Sequence, residues 1–176
     1  MIAALVREHS RPLYRAARGF GFGPEEAEDI VQDVFTVFLS SLDRFEGRST
    51  IRTWLFGILH RKKLEKFREK QRDIRHDPID SEFESRFNED GSWRSPPLDL
   101  QRLVESRELG QSIAGCMEQL PSLQRSVFVL REMEELETNE VCKILEVTVT
   151  HMGVLMHRAR TRLRHCLENA GWGTRN

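Results

Sequence analysis

Between Asp77 and Asp99 the chain has little regular apolar spacing, and this gap constrains the fold more than any single motif. The stretch contains Pro78, Gly91, Pro96 and Pro97, and Asp80, Glu82, Glu84, Glu89 and Asp90 make it acidic. Such a composition buries too little apolar surface to offset the entropy of ordering, so it reads as a mobile tether. Helical periodicity stands on both sides of it. The expected fold is therefore all-α: two small helical domains joined by a flexible acidic linker, the C-terminal one a helix-turn-helix. Expected boundaries are 1–76, 77–99 and 100–170. Phe83, Phe87 and Trp93 are unusual for a pure spacer and suggest contact with a partner.

The net charge of −1 conceals strong segregation. Basic residues crowd Arg52–Arg75 and Arg158–Arg164, while acids crowd the tether. Separated blocks of opposite sign point to nucleic-acid-facing surfaces with acidic segments elsewhere. The cysteines, Cys116, Cys142 and Cys166, are odd in number and make no CxxC pair. That pattern predicts a reducing cytoplasm and no disulfide framework. Cys142 and Cys166 fall on apolar helix faces, where core packing is the default. The chain shows no basic-then-apolar leader and no apolar run long enough to span a bilayer, so a soluble cytoplasmic protein without membrane insertion is expected.

In the first half, residues Ile2 to Arg18 fit a helix that Pro12 can break or kink. Gly19-Phe20-Gly21-Phe22-Gly23 interrupts it. Pro24 suits the first position of the next helix, with Glu25 and Glu26 at its positive end. On that helix Ala27, Ile30, Val31, Val34, Phe38 and Leu42 share one side. Asp29, Gln32, Asp33, Thr36, Ser40 and Asp43 share the other, which is either a solvated face or a protein-docking surface. After a loop from Phe45 to Ser49, Ser49 or Thr50 can cap a third helix. Ile51, Trp54, Leu55, Ile58 and Leu59 form its apolar stripe, and its tail is expected to project past the core. Another face collects Arg52, Phe56, His60, Lys63, Phe67 and Lys70. Cations interleaved with aromatics suit a strand with exposed bases, although packing of Phe56 and Phe67 on neighbouring helices accounts for the spacing equally well.

In the second half, periodicity returns at Leu100, Leu103, Val104, Leu109, Ile113, Met117 and Leu120, until Pro121 breaks it. Ser122, Thr138 and Thr148 are the expected caps of three further helices. The last of these directs Val149, Met152, Met156, Ala159, Leu163 and Cys166 inward. It directs Thr150, His151, Val154, Arg158, Thr161, Arg162 and His165 outward. Two helices joined by a tight turn at Glu146-Val147, the second with a basic outer face, fit a helix-turn-helix that reads base edges and grips phosphates.

Three stretches together resemble one family, the bacterial RNA polymerase sigma factors, in the small two-domain extracytoplasmic-function class of the sigma-70 group. AEDIVQDVF resembles its core-polymerase-binding helix. RTWLFGILHRKKLEKFR resembles its helix for the upstream edge of the transcription bubble. LPSLQRSVFVLREMEEL with TNEVCKILEVTVTHMGVLMHRARTRLR resembles its minus-thirty-five domain, most recognisably at HRAR from His157 to Arg160. The resemblance implies that Asp29, Gln32, Asp33 and Thr36 dock on core RNA polymerase, at the coiled-coil clamp of its largest subunit. It implies minus-ten contacts from Arg52, Trp54, Phe56, His60, Arg61, Lys63, Lys66, Phe67 and Lys70, with the Phe45–Ser49 loop capturing unstacked bases. It implies minus-thirty-five contacts from Thr148, Thr150, His151, Val154, His157, Arg158, Thr161 and Arg162. Leu123, Val127 and Leu130 would help form the domain that engages the flap of the next largest subunit. The acidic tether would imitate a phosphate chain in the nucleic-acid channel. An inhibitory anti-sigma factor is a further expected partner.

The chain departs from the family at several points. Glu146 stands where a turn glycine is frequent, Gly153 and Leu155 where a lysine and an arginine are, and Arg61 where an asparagine is. Among rival classes, an enzyme lacks support: the chain has no phosphate-binding glycine loop, zinc-type Cys/His spacing or nucleophile motif, and no cofactor is expected. A conventional helix-turn-helix regulator explains the second half but has no need of the acidic helix or of the basic, aromatic-bearing one.

Overall fold

The computed structural model describes residues 2–70 and 107–172. The expected tether, its acids and aromatics, and Leu100, Leu103 and Val104 lie outside the described residues, as does the side chain of Lys70. Helices are α1 (Ile2–Gly19), α2 (Pro24–Ser40), α3 (Ile51–Lys70), α4 (Arg107–Glu118), α5 (Ser122–Phe128), α6 (Thr138–Leu145) and α7 (Val149–Asn169). A 3-10 turn spans Leu42–Arg44, and a single π turn, Val129–Met133, continues α5. No strand occurs among the described residues.

The first domain packs α2 against both α1 and α3. α1 continues through Pro12 and buries Leu13, Ala16 and Ala17. The glycine-rich break is structural: Gly21 takes φ +104°, a region open to glycine at little steric cost, and the reversal drops Phe20 and Phe22 into the core on either side. Ala27, Ile30, Val31, Val34 and Phe38 of α2 are buried as their spacing predicts, with Phe35 beside them. Leu42 belongs to the following turn and is exposed. Thr50 caps α3, its hydroxyl accepting from the Thr53 N–H at 3.1 Å.

In the second domain two expected caps shift by one residue. Pro121, not Ser122, precedes α5, and Glu137, not Thr138, precedes α6, where its N–H donates to Glu140 Oε2 at 2.9 Å. Thr148 does cap α7, accepting from the His151 N–H at 3.1 Å. Glu146 ends α6 in the left-handed region at φ 56° and ψ 43°, as the tight turn of a helix-turn-helix requires. Met152, Leu155, Met156, Ala159, Leu163 and Leu167 of α7 face inward. Val149, expected inside, is 57% exposed, because the cap still holds it above the core. Leu155 is wholly buried and belongs to the packing rather than to a contact surface.

The cysteine expectation is corrected. Cys116 of α4 and Cys166 of α7 form a disulfide with an S–S distance of 2.02 Å, and Cys142 is free. Parity and the absence of CxxC gave no warning, because packing alone brings the two Cα atoms within 5.8 Å across fifty residues of sequence. Trp172 secures the same pair of helices, its indole N–H donating to Ser112 Oγ at 3.0 Å.

Candidate polymerase and nucleic-acid interfaces

Three surfaces follow from this packing. On α2 the apolar stripe faces α1 and α3, so Asp29, Gln32, Asp33 and Thr36 are all exposed. The Thr36 hydroxyl is occupied by its own helix, donating to Gln32 O at 3.0 Å. Leu39, 41% exposed, extends the same strip, and Leu42, 39% exposed, follows it in the turn. The sequence reading missed Leu39. An apolar residue at the end of a polar helix face is the signal that marks it.

The third helix divides differently from expectation. Phe56 and His60 belong to the packed interior, at 1% and 7% exposure. Lys63 is 2% exposed, with its ammonium 4.9 Å from the Phe20 ring and hydrogen-bonded to Ser126 Oγ of the second domain. Phe67 packs on Phe22 at 5.2 Å between ring centroids. The strip Arg52–Phe56–His60–Lys63–Phe67 is thus an inner edge of α3, and the packing alternative holds for both phenylalanines. Lys63 is buried because Phe20 and α5 cover the helix beyond the expected end of the core. Burial pulls its pKa from 10.5 to about 7, helped by the charge on Arg125.

The opposite side of α3 is open. With the turn after α2 it lines a cavity of about 580 Å³, bordered by Arg44, Phe45, Arg48, Trp54, Arg61 and Lys62 among others. Phe45 stacks on Trp54 with centroids 4.8 Å apart and rings 15° from parallel, and Phe38 supports Trp54 edge-on. Its cations make surface ion pairs, Arg48 with Glu46 at 2.5 Å and Lys62 with Glu65 at 2.9 Å. Exposed pairs of this kind contribute little and exchange readily for phosphate. Arg48 falls in the loop Phe45–Ser49 expected to capture bases, whereas Arg44 lies outside it and carries no periodic signal. Lys66 is half-buried further along the helix.

On α7, Thr150 and Arg162 are exposed, while His151, Val154 and Thr161 are half-buried. Arg162 also donates to Gln124 Oε1 at 3.1 Å. Two residues do not face outward. His157 and Arg158 are buried, at 5% and 6% exposure, with His157 Nδ1 3.2 Å from the Thr161 hydroxyl. The inward stripe is wide, running through both Leu155 and Ala159, so a residue three positions beyond Leu155 lies at its margin rather than opposite it. Arg160 pairs with Glu132 of the π turn.

Family comparison agrees with this geometry. The family model for Sigma-70 region 2 matches residues 5–73, and that for Sigma-70, region 4 matches residues 110–163. A probable RNA polymerase sigma factor of Haemophilus influenzae is 32% identical over 148 residues, covering 80% of this chain and 76% of that protein. The extracytoplasmic-function sigma factor SigW of Bacillus subtilis is 31% identical over 149 residues, covering 82% and 76%. Among solved structures, CnrH in complex with the cytosolic domain of CnrY superposes with a TM-score of 0.67 at 25% identity, over 96% of this chain and 88% of that one. The sigma factor RpoE of Bartonella quintana, solved with the anti-sigma factor NepR, shares the fold at a TM-score of 0.71. The chain belongs to the sigma-70 family of RNA polymerase sigma factors, in its extracytoplasmic-function class. It binds core RNA polymerase and directs transcription initiation at promoters.

Proposed function

We propose a residue-level division of labour within this sigma factor. Asp29, Gln32 and Asp33, continued by the exposed Leu39, form the surface that docks on core polymerase. The Phe45–Trp54 cavity receives an unstacked base of the minus-ten element, and Arg44, Arg48, Arg61 and Lys62 at its rim hold the adjoining backbone. The observation that carries this reading is the cavity itself: a stacked aromatic wall, open to solvent and ringed by cations. Extracting a base costs a few kcal/mol, which stacking of about 1–3 kcal/mol per base and phosphate contacts offset. Thr150, His151 and Val154 read the minus-thirty-five element, and Arg162 holds its backbone.

The functional domains run over 1–76 and 100–170 with the acidic linker 77–99 between them. The protein carries out no reaction of its own and works in the cytoplasm, where polymerase and template are. An anti-sigma factor is a further partner, by likeness to the two sigma factors solved with such inhibitors. Run-off transcription with core polymerase on a genomic fragment library tests the reading. The expected result is initiation at defined sites only when both proteins are present. Loss of that activity in a Phe45→Ala variant, with core affinity retained, is the expected mark of the base pocket.

A further inference from the structure

The Cys116–Cys166 bridge joins the last turn of α4 to the last turn of α7, and it is not sealed into the core. Cys116 is 4% exposed, but Cys166 is half-buried, and both line a cavity of about 230 Å³. Gln119, Arg162, His165 and Asn169 surround that cavity and are all exposed, so it opens to solvent. Thiol–disulfide exchange requires such access to a sulfur. Arg162 stands one helical turn before Cys166, and its guanidinium favours the approach of an anionic thiol.

The bridge also restrains something that is otherwise lightly held. α4 packs on α7 and buries only Leu109 and Met117 besides Cys116. The bond from Trp172 to Ser112 is a second tie between the same helices. Opening the bridge therefore loosens α4 from the C-terminal half of α7, the half that carries Arg162. A protein that works beside polymerase and template meets a thiol-rich solution, where a disulfide is characteristically a redox-responsive bond rather than a permanent one.

We propose that the Cys116–Cys166 bridge is a thiol–disulfide exchange site, through which a small anionic thiol such as glutathione sets the grip of α7 on promoter DNA. That output rests on the cytoplasmic placement and on the assignment of Arg162 to the minus-thirty-five backbone. A glutathione thiolate attacks Cys166 Sγ, on the more exposed of the two residues. The S–S bond breaks, and Cys116 leaves as a thiolate that takes up a proton. A second glutathione thiolate attacks the mixed disulfide, releasing oxidised glutathione and the Cys166 thiol. The bridge gains two electrons, two glutathione thiols are oxidised to one disulfide, and their two protons end on the cysteines. Oxidised glutathione drives the same steps backwards.

The test uses the full chain and a genomic fragment from which it initiates with core polymerase. Wild type and Cys142→Ser are equilibrated with reduced or oxidised glutathione, which is then removed so that polymerase never meets it. Alkylation with mass spectrometry counts the thiols, circular dichroism reads helicity, and run-off transcription reads initiation. Reduced glutathione should open the bridge while helicity persists, and initiation should fall about fivefold or more, within the usual range for coupled sites. Oxidised glutathione should restore both, in wild type and in Cys142→Ser alike. A folded Cys116→Ala/Cys166→Ala variant should stay at the reduced level after either treatment. If that variant loses its helicity, the reversal in Cys142→Ser carries the test. A bridge that survives glutathione until helicity is lost, or one that opens with initiation unchanged, overturns the switch. Exchange in a chain that never initiates in either form removes the promoter reading and leaves the exchange site standing.

Discussion

The two cationic helices, α3 and α7, meet solvent in opposite ways. The outer face of α7 is open, and the helix beneath it is joined covalently to α4 through Cys116 and Cys166. The inner edge of α3 is covered, and what covers it is held by hydrogen bonds and ion pairs centred on Glu134. A reading surface that stays exposed tolerates a covalent staple. The difference between a covalent and a non-covalent restraint is what separates the two helices mechanically.

The largest expected effect is on the stapled side. Replacing Cys116 and Cys166 by Ser frees a loop of fifty residues, and chain entropy sets the loss at about 4 kcal/mol. Urea unfolding with and without reductant measures it. Reductant sensitivity in wild type that is absent from the double variant would confirm the staple as its source. Next in size is an acid transition on the covered side. Burial, with Lys63 and Arg61 nearby, lowers the His60 pKa from 6.5 to about 4. The unfolded chain therefore takes up this proton first. The stability associated with neutral His60 is complete above about pH 6.5 and is lost as pH falls toward 4, to the extent of about 3 kcal/mol. A His60→Leu variant should lack that part of the acid unfolding curve. If it keeps it, the inner edge is less buried than α3 and Phe20 imply.

Asp33→Arg should weaken core polymerase binding about tenfold or more, because it reverses an exposed charge at a docking surface, while the melting temperature holds. Normal affinity would move the docking surface away from α2. Arg162→Ala should reduce the salt slope of upstream promoter binding by about 1, whereas an Arg158→Ala change should register in stability, since Arg158 is buried. Smallest is Glu146→Gly. Relief of the left-handed strain at φ 56° should raise stability by about 1 kcal/mol without altering DNA binding.

Much of this molecule was legible in its residues. The periodicity of α2 gave both its buried stripe and its exposed acids, because a helix with one apolar side has one way to turn it. Thr50 and Thr148 announced their helices, since a hydroxyl just before an apolar run has a specific bond to make. The α3 strip was less legible. Cations interleaved with aromatics describe a DNA surface and a domain interface equally well, and the choice depends on α5 and the π turn, far away in sequence. The loop Phe45–Ser49 was read as a base-capturing segment without its Arg48 being singled out, and Arg44 lay outside that reading, because a turn has no period to read.

The sequence by itself determined the family, the all-helical class, the polar face of α2 and the helix-turn-helix, for these depend on local spacing, capping and motif order. Only the tertiary structure decided which cations are covered, that Cys116 meets Cys166, and that Glu134 holds the two domains together. Each of those depends on groups brought together by packing across long separations in the chain, and one-dimensional periodicity carries no information about which distant surface a helix edge will meet.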